Sequence, residues 1–299
     1  MRRITFVSAL IVALQVNIAA LAQNDEVTLR VPNFIRPLAE KWVAEYQKEG
    51  GAADFQFATG QSQAEGSIIV FTNAEGAIPF ARYAVLPVTA SGSEASRLIG
   101  KHRLNARKLK NLFFVKDEFE EEDDEPEEDK SPLHIYAGGS ATSASNTYAA
   151  HFKQEESSYK GKKIVGDDSF LLTAIGRDPL GVTVNSLPNI FDLGSRQVRQ
   201  ELALLPLDVD RRGRQTLDEG NLDNIIALLE GQQFAEIPVG NIGVTYDRNN
   251  ESQCRFVRWI MEKGVGYVHE FGLLQLPQKE LATSLRLTSN HHLAQRSEE

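Results

Sequence analysis

The fold is indicated first by an apolar run, Tyr83-Ala84-Val85-Leu86-Pro87-Val88. A compact run of this length is typical of a strand buried inside a sheet. A second run of the same kind, Ser67-Ile68-Ile69-Val70-Phe71, precedes it, and a short alternating stretch, Val27-Thr28-Leu29-Arg30-Val31, comes before both. The beginning of the chain therefore predicts three strands, two of which are buried.

Helical periodicity flanks these strands. From Asn33 to about Gln47, apolar residues recur at three- and four-residue steps and form one face of a helix, which Asn33 can cap. A second helix begins at Leu104-Asn105. Further helical patterns lie at 144–152, 169–175, 221–230 and 254–263, and further strand patterns at 133–136, 163–165, 181–184 and 237–246. This alternation predicts α/β layers with a mainly parallel sheet in each of two lobes.

Length and composition limit the function. A chain of 299 residues exceeds the usual single core, which favours two lobes. The formal net charge is -9, and the eleven acidic residues and two lysines between Lys116 and Lys130 supply all of it. The rest is neutral, so the chain lacks the basic surface that a nucleic-acid partner requires. The single cysteine, Cys254, excludes an internal disulfide and a cysteine-based metal site.

The acidic run, residues 116–130, is broken by Pro126 and followed by Pro132. Its composition indicates a solvated, flexible surface loop; a functional tether and a cation site are the alternatives. Basic residues lie just upstream, so the run can also fold back onto a basic helix face. They are Lys101, Arg103, Arg107, Lys108 and Lys110.

The amino terminus has the pattern of a secretory signal. Arg2 and Arg3 precede an uncharged stretch with an apolar centre, and Ala20-Leu21-Ala22 has the small-residue form of a cleavage site. The alternative is an uncleaved anchor helix, but the apolar block is shorter than the roughly 20 residues that a span needs. We therefore predict a signal peptide at 1–22 and an exported protein, periplasmic or secreted.

Five stretches, in order, resemble the phosphate-type periplasmic substrate-binding proteins of ABC transporters. Residues 31–46 are similar to the first ligand loop and helix of that family, and 78–88 to its crossing strand. Residues 104–114 resemble its Leu-Thr-x-x-x-Leu-x-x-Ile-Phe helix. Gly139-Ser140-Ala141-Thr142 resembles its Gly-Ser-Gly-Thr loop, and 256–277 its closing helix and terminal Gly-Tyr-x-x-Leu-Pro segment.

The resemblance implies a two-lobe α/β fold of periplasmic-binding-protein type II, with mainly parallel sheets joined by crossover hinge strands. The domain division that we predict is a signal peptide at 1–22, a first lobe at 23–133 and 236–286, a second lobe at 134–235 and a disordered tail at 287–299. In that family the two lobes close on an oxyanion.

An oxyanion must be dehydrated on binding, so its site needs convergent N–H donors at helix starts and neighbouring hydroxyls. Gly138 to Ser143 suits this chemistry, since small residues allow close approach at a helix start. The alternative is that its hydroxyls only cap the helix. The ligand-binding residues that we predict are Gly139, Ser140, Thr142, Ser143, Asn33 and Arg82.

The chain also departs from the family pattern. Asn33 and Phe34 replace a Ser-Thr pair, Tyr136 stands where the family has an anion-pairing arginine, and Ser67 stands near the position of its proton-accepting aspartate. Loss of the arginine and the aspartate argues against tight selectivity for phosphate. A binding site discriminates between ligands through polar groups that pair with those of the right ligand.

Other residues that could be catalytic or could bind a metal have simpler structural explanations. Asp167-Asp168 suits a turn or cap before the helix at Ser169, and the mixed charges of 208–214 suit an exposed loop. His291-His292 in the tail suits solvation better than metal binding. Hydrolase, zinc-protease and P-loop motifs are absent from the sequence, so we predict no enzyme activity, cofactor or metal site.

Two functions follow from these patterns. The first is an exported solute-binding protein that captures a small oxyanion or polar solute between its lobes for an ABC transporter permease in the inner membrane. The second is a ligand-free scaffold of the same fold that binds a partner in the cell envelope.

Overall fold

The structure is a computed structural model, and it describes residues 26–58, 68–100, 102–115 and 131–289. The predicted signal peptide, the acidic run, Ser67 and the His291-His292 pair lie outside these residues. None of the described helices is both long and apolar enough to cross a membrane.

The described residues form eleven strands and ten α-helices. The strands are β1 (Glu26–Arg30), β2 (Asp54–Phe57), β3 (Ile68–Thr72), β4 (Ile78–Ala90), β5 (His134–Gly138), β6 (Lys162–Ile164), β7 (Gly181–Ser186), β8 (Phe191–Asp192), β9 (Gln197–Val198), β10 (Leu202–Leu204) and β11 (Val239–Thr245). The helices are α1 (Arg36–Lys48), α2 (Glu94–Ile99), α3 (Ala106–Phe113), α4 (Ala144–His151), α5 (Ser169–Arg177), α6 (Leu187–Ile190), α7 (Arg211–Glu219), α8 (Leu222–Gly231), α9 (Glu251–Glu262) and α10 (Gln278–Ser289).

One long strand, β4, joins the two lobes. The sheet order is β2-β1-β3-β11-β4-β7-β5-β6, and β10 also pairs with β4. Strands β1, β2 and β3 are parallel in the first lobe, and β5, β6 and β7 are parallel in the second. The pairs that β4 forms with β11, β7 and β10 are antiparallel. Each lobe therefore has the parallel sheet that the sequence predicts, and antiparallel pairs connect them.

The change of lobe falls within β4 and not at residue 133. Residues 78–84 of this strand pair with β11, and residues 85–89 pair with β7. Helices α2 and α3 then belong to the second lobe: the Ala95 N–H donates to Pro179 O at 2.8 Å, and the Leu104 N–H donates to Pro206 O at 2.9 Å. At 13 residues, β4 extends roughly 40 Å, which is long enough to cross both lobes.

The start of α1 differs from the prediction. Asn33 does not cap it; Asn33–Ile35 form a 3-10 turn, and Pro37 lies in the first turn of α1, where its missing N–H costs nothing. The start of α3 is as predicted, since Asn105 Oδ1 accepts a hydrogen bond from the Lys108 N–H at 2.9 Å.

Trp42 on α1 holds the core of the first lobe together. It is fully buried and lies edge-on to Phe80 of β4, with ring centroids 5.0 Å apart. Its Nε1–H donates to Gly264 O at 2.7 Å, after the end of α9. A Cβ at position 264 would lie 2.9 Å from Trp42 Nε1, so only glycine fits. The carboxyl-terminal part of the chain thus packs against the first helix.

Four α-helices were missed in the sequence, namely α2, α6, α7 and α10. The stretch 208–214 was predicted as an exposed loop, but Arg211–Glu219 form α7, which Asp210 caps through the Gly213 N–H at 2.7 Å. The predicted tail begins at 287, but α10 continues to Ser289. Helices α7 and α10 bury few side chains. Their sequences therefore lack the apolar stripe from which a helix is predicted.

An aromatic cluster fills the second lobe around Tyr148 of α4. This side chain is fully buried, with its ring centroid 5.0 Å from that of Phe113 and 4.9 Å from that of Phe152. Its hydroxyl has no hydrogen-bond partner among the described residues. The neighbouring Tyr159 hydroxyl, in contrast, donates to Ser145 O at 2.8 Å.

We expect Tyr148→Phe to raise the free energy of unfolding by about 1 kcal/mol, because it removes a buried polar group that is unsatisfied. Tyr159→Phe is the matched control and should lower it by about 1 kcal/mol, because it breaks a hydrogen bond. Urea denaturation of both variants measures these differences. If both variants lost the same free energy of unfolding, the Tyr148 hydroxyl would have a hydrogen-bond partner.

Candidate functional site

A cleft of about 220 Å³ lies between the lobes. Its lining comes from the segments that follow the carboxyl ends of β1, β5, β6 and β7, where ligands of α/β proteins commonly bind. The polar side chains in the lining are Asn33, Ser140, Thr142, Asp167, Asp168 and Asn189. The cleft thus joins the Asn33 turn of the first lobe to the Ser140–Thr142 loop of the second.

Three predicted residues face this cleft with free polar groups. Asn33, Ser140 and Thr142 line it from opposite sides, and their side chains form no hydrogen bond to the described part of the chain. A solute in the cleft can therefore exchange hydrogen bonds with both lobes.

Two other predicted residues are already used by the protein. The Gly139 N–H donates to Ile164 O at 2.9 Å, so this backbone donor is not available to a ligand. Ser143 is buried at 1% exposure and caps α4, with its Oγ accepting from the Ser145 N–H at 3.2 Å. For Ser143, the capping alternative of the sequence analysis is correct.

The start of α4 is occupied by a carboxylate of the same chain. Asp168 Oδ1 accepts a hydrogen bond from Ser143 Oγ at 2.6 Å, and Asp168 Oδ2 accepts one from the Ala144 N–H at 2.7 Å. Burial raises the pKa of the Asp168 carboxyl, and these two hydrogen bonds oppose that rise. Asp168 therefore satisfies donors that an oxyanion would otherwise need.

The pair Asp167-Asp168 has a divided role. Asp167 Oδ1 accepts from the Ser169 N–H at 2.9 Å, which is the turn that the sequence predicts. Asp168, in contrast, does not cap α5 with its side chain; it points to α4 and was missed as a site residue. The only sequence signal for it was an acidic pair after Gly166, at a strand end.

Arg82 does not belong to this cleft. Its Nε donates to Gln275 O at 2.9 Å, and it lines a separate cavity of about 440 Å³ with Glu230 and Gln275. None of the described residues that line the cleft is basic. Arg82 therefore lies in a different cavity from the cleft that Asn33 and Ser140 line.

Aromatic and hydroxyl contacts hold the lobes together beside the cleft. The ring of Phe34, in the first lobe, lies 5.3 Å from that of Tyr83 on β4. The Tyr83 hydroxyl hydrogen-bonds to the Thr147 hydroxyl on α4, and Asn73 Nδ2 donates to the same Tyr83 oxygen at 3.1 Å. Contacts within the protein thus connect the lobes without a ligand.

Tyr136, at the family's arginine position, contacts Asp178. Its hydroxyl donates to Asp178 Oδ2 at 2.8 Å, and His134 Nδ1 lies 2.8 Å from the same oxygen. Burial acts to raise the pKa of Asp178, but hydrogen bonds from His134, the Leu180 N–H and Tyr136 outweigh it and lower this pKa. The position therefore stabilises the second lobe and supplies no charge to the cleft.

Comparisons with known proteins support the fold. No protein-family model matches the sequence, and no curated protein matches it. The chain is similar to a crystal structure of an ABC-type phosphate transport receptor from Vibrio cholerae, with a TM-score of 0.52 and 10% identity over 84% of this chain and 100% of that one. It is also similar to a possible phosphate binding protein from Planctomyces limnophilus (TM-score 0.47, 9% identity, 90% and 99% covered) and to the OxyR2 regulatory domain from Vibrio vulnificus (TM-score 0.48, 10% identity, 84% and 96% covered).

The likeness to the Vibrio cholerae receptor confirms the predicted fold class. The chain has the two-lobe α/β fold of type II periplasmic binding proteins, with β4 as a crossing strand. At 10% identity the likeness shows the fold alone.

We expect Asp178→Asn to lower the free energy of unfolding by about 1 kcal/mol near pH 7, because it weakens three hydrogen bonds. The pKa of Asp178 is lowered from 3.8 in the folded protein. The wild type therefore has a higher free energy of unfolding than the variant above pH 3.8, and it loses this difference as the pH falls through the folded pKa. Urea denaturation of both proteins over this pH range measures the difference.

The control is Asp218→Asn, which breaks an exposed ion pair with Arg103. It should change the unfolding free energy by less than about 0.5 kcal/mol at any pH. A difference between wild type and Asp178→Asn that stays constant down to pH 2 would contradict the assignment of the lowered pKa.

Proposed function

We propose that the chain is a solute-binding protein that captures a small polar solute in the cleft between its lobes. It is a binding protein and not an enzyme, is exported through its amino-terminal signal, and delivers the solute to the permease of an ABC transporter.

The observation that carries this proposal is the free polar lining of the cleft. Asn33 approaches from the first lobe, and Ser140 and Thr142 approach from the second. Hydroxyl and amide groups donate and accept hydrogen bonds without a net charge, which suits a polar solute. At about 220 Å³ the cleft is smaller than typical pockets for drug-sized ligands, so the solute is small.

The fold gives binding a mechanism. A solute that contacts both lobes forms its full set of hydrogen bonds only when they are closed, so it shifts the equilibrium toward the closed state. The closed state then presents a different surface to the permease from the open state.

The second function, a scaffold without a ligand, is favoured by two observations. Asp168 fills the start of α4, and the Asn73–Tyr83–Thr147 hydrogen bonds connect the lobes without a solute. A protein closed in this way can bind a partner without a ligand.

We expect a thermal-shift screen of polyols, monosaccharides, amides and inorganic oxyanions to find a solute that raises the melting temperature of the wild type, by mass action. Asn33→Ala should then weaken binding of that solute about tenfold, because it removes one hydrogen bond from the first lobe. Titration calorimetry measures the two affinities.

Asn249→Ala is the matched control, since Asn249 is exposed and lies outside the cleft. It should leave the affinity unchanged. No melting shift with any solute would reject solute binding and favour the scaffold. An equal loss of affinity in both variants would place the solute elsewhere.

A further inference from the structure

Asp168 contributes a carboxylate that lies at the start of helix α4, inside the cleft lining. The first N–H groups of a helix and an adjacent hydroxyl form a favourable position for an anion. In this chain the Asp168 carboxylate occupies that position, because its two oxygens accept from Ser143 Oγ and from the Ala144 N–H. The contact joins two segments that are 24 residues apart in the chain.

The Asp168 carboxylate is fixed in place. Its residue is only 7% exposed, and its own carbonyl accepts a hydrogen bond from Asn185 Nδ2 at 2.9 Å. Asn189, which lines the cleft, donates to Asn185 Oδ1 at 2.8 Å. A Cβ on Gly138 would lie 2.7 Å from Asp168 Oδ1, so glycine is needed for the carboxylate to pack there. Moving the Asp168 side chain aside would break its hydrogen bonds to Ser143 Oγ and the Ala144 N–H.

The electrostatics of the cleft agree with this role. Asp167 lies beside Asp168 in the lining, and none of the described lining residues is basic. An oxyanion that entered would meet two acidic side chains and would lack a positive partner. Its preferred donors, the Ala144 N–H and the Ser143 hydroxyl, are already satisfied.

We propose that Asp168 determines the specificity of the cleft by occupying its anion position, so that the cleft excludes oxyanions and takes an uncharged solute that bears hydroxyl or amide groups. This inference rests on the proposed function. It assigns Asp168 as a specificity-determining residue and leaves Asn33, Ser140 and Thr142 as the groups that contact the solute.

The test removes the carboxylate and adds inorganic phosphate or molybdate. In Asp168→Ser the shorter side chain exposes the Ala144 N–H and the Ser143 hydroxyl. We expect phosphate to raise the melting temperature of this variant by roughly 5 °C at about a hundredfold excess over the dissociation constant. The wild type should show no shift under the same conditions.

Asp167→Asn is the matched control. It removes a neighbouring charge from the same cleft but leaves Asp168 on α4, so it should show no shift with phosphate. A phosphate shift in the wild type, or shifts of equal size in the two variants, would overturn the proposal. A folded Asp168→Ser variant that does not bind either oxyanion would also overturn it.

A second measurement does not depend on the variant's folding. In nitrogen–proton NMR spectra of the wild type, the Ala144 amide signal should not move on addition of phosphate; a saturable movement would overturn the proposal. If wild type binds no uncharged solute but Asp168→Ser gains phosphate, the proposed function fails and the exclusion of oxyanions by Asp168 is supported.

Discussion

Backbone pairing along β4 is the constraint on which the two-lobe arrangement depends. Because one half of this strand pairs with β11 and the other half with β7, the two sheets are parts of one hydrogen-bonded structure. The pairing fixes which strand ends meet at the cleft. The Asn33 turn and the Ser140–Thr142 loop therefore face each other as a consequence of strand order, whatever side chains they carry.

Strands and helices with apolar residues at regular spacing could be predicted from the sequence, because burial requires that spacing. The strand at 83–88 and the helix that begins at Leu104-Asn105 are examples. Helix α10 could not be predicted in this way, since its buried residues are Ser284 and Thr288. Helix α7 buries only Gly213 and Leu217 among many charges. In both cases a polar sequence packs with a narrow contact surface, which periodicity does not detect.

The candidate site could be predicted in part, and its misses have two different causes. Arg82 and Tyr83 are neighbours on β4, so their side chains point to opposite faces. Tyr83 contacts Phe34 and Thr147 beside the cleft. Arg82 therefore faces the other side of the strand, where it contacts Gln275. The direction of either side chain would have been enough to place Arg82 outside the cleft. Asp168 is different, because its partners on α4 lie far away in the chain and only the tertiary structure brings them together.

Fold and ligand chemistry depend on different parts of this molecule. The fold follows from strand pairing and from a core around Trp42 and Tyr148, which tolerates extensive substitution if its volume and pattern are kept. The chemistry of the cleft depends on few side chains, and one carboxylate is enough to change which charges it accepts. A likeness to a phosphate receptor at 10% identity is therefore compatible with a cleft that rejects phosphate. In the function that we propose, the charge at the start of α4, rather than the fold, decides the class of solute.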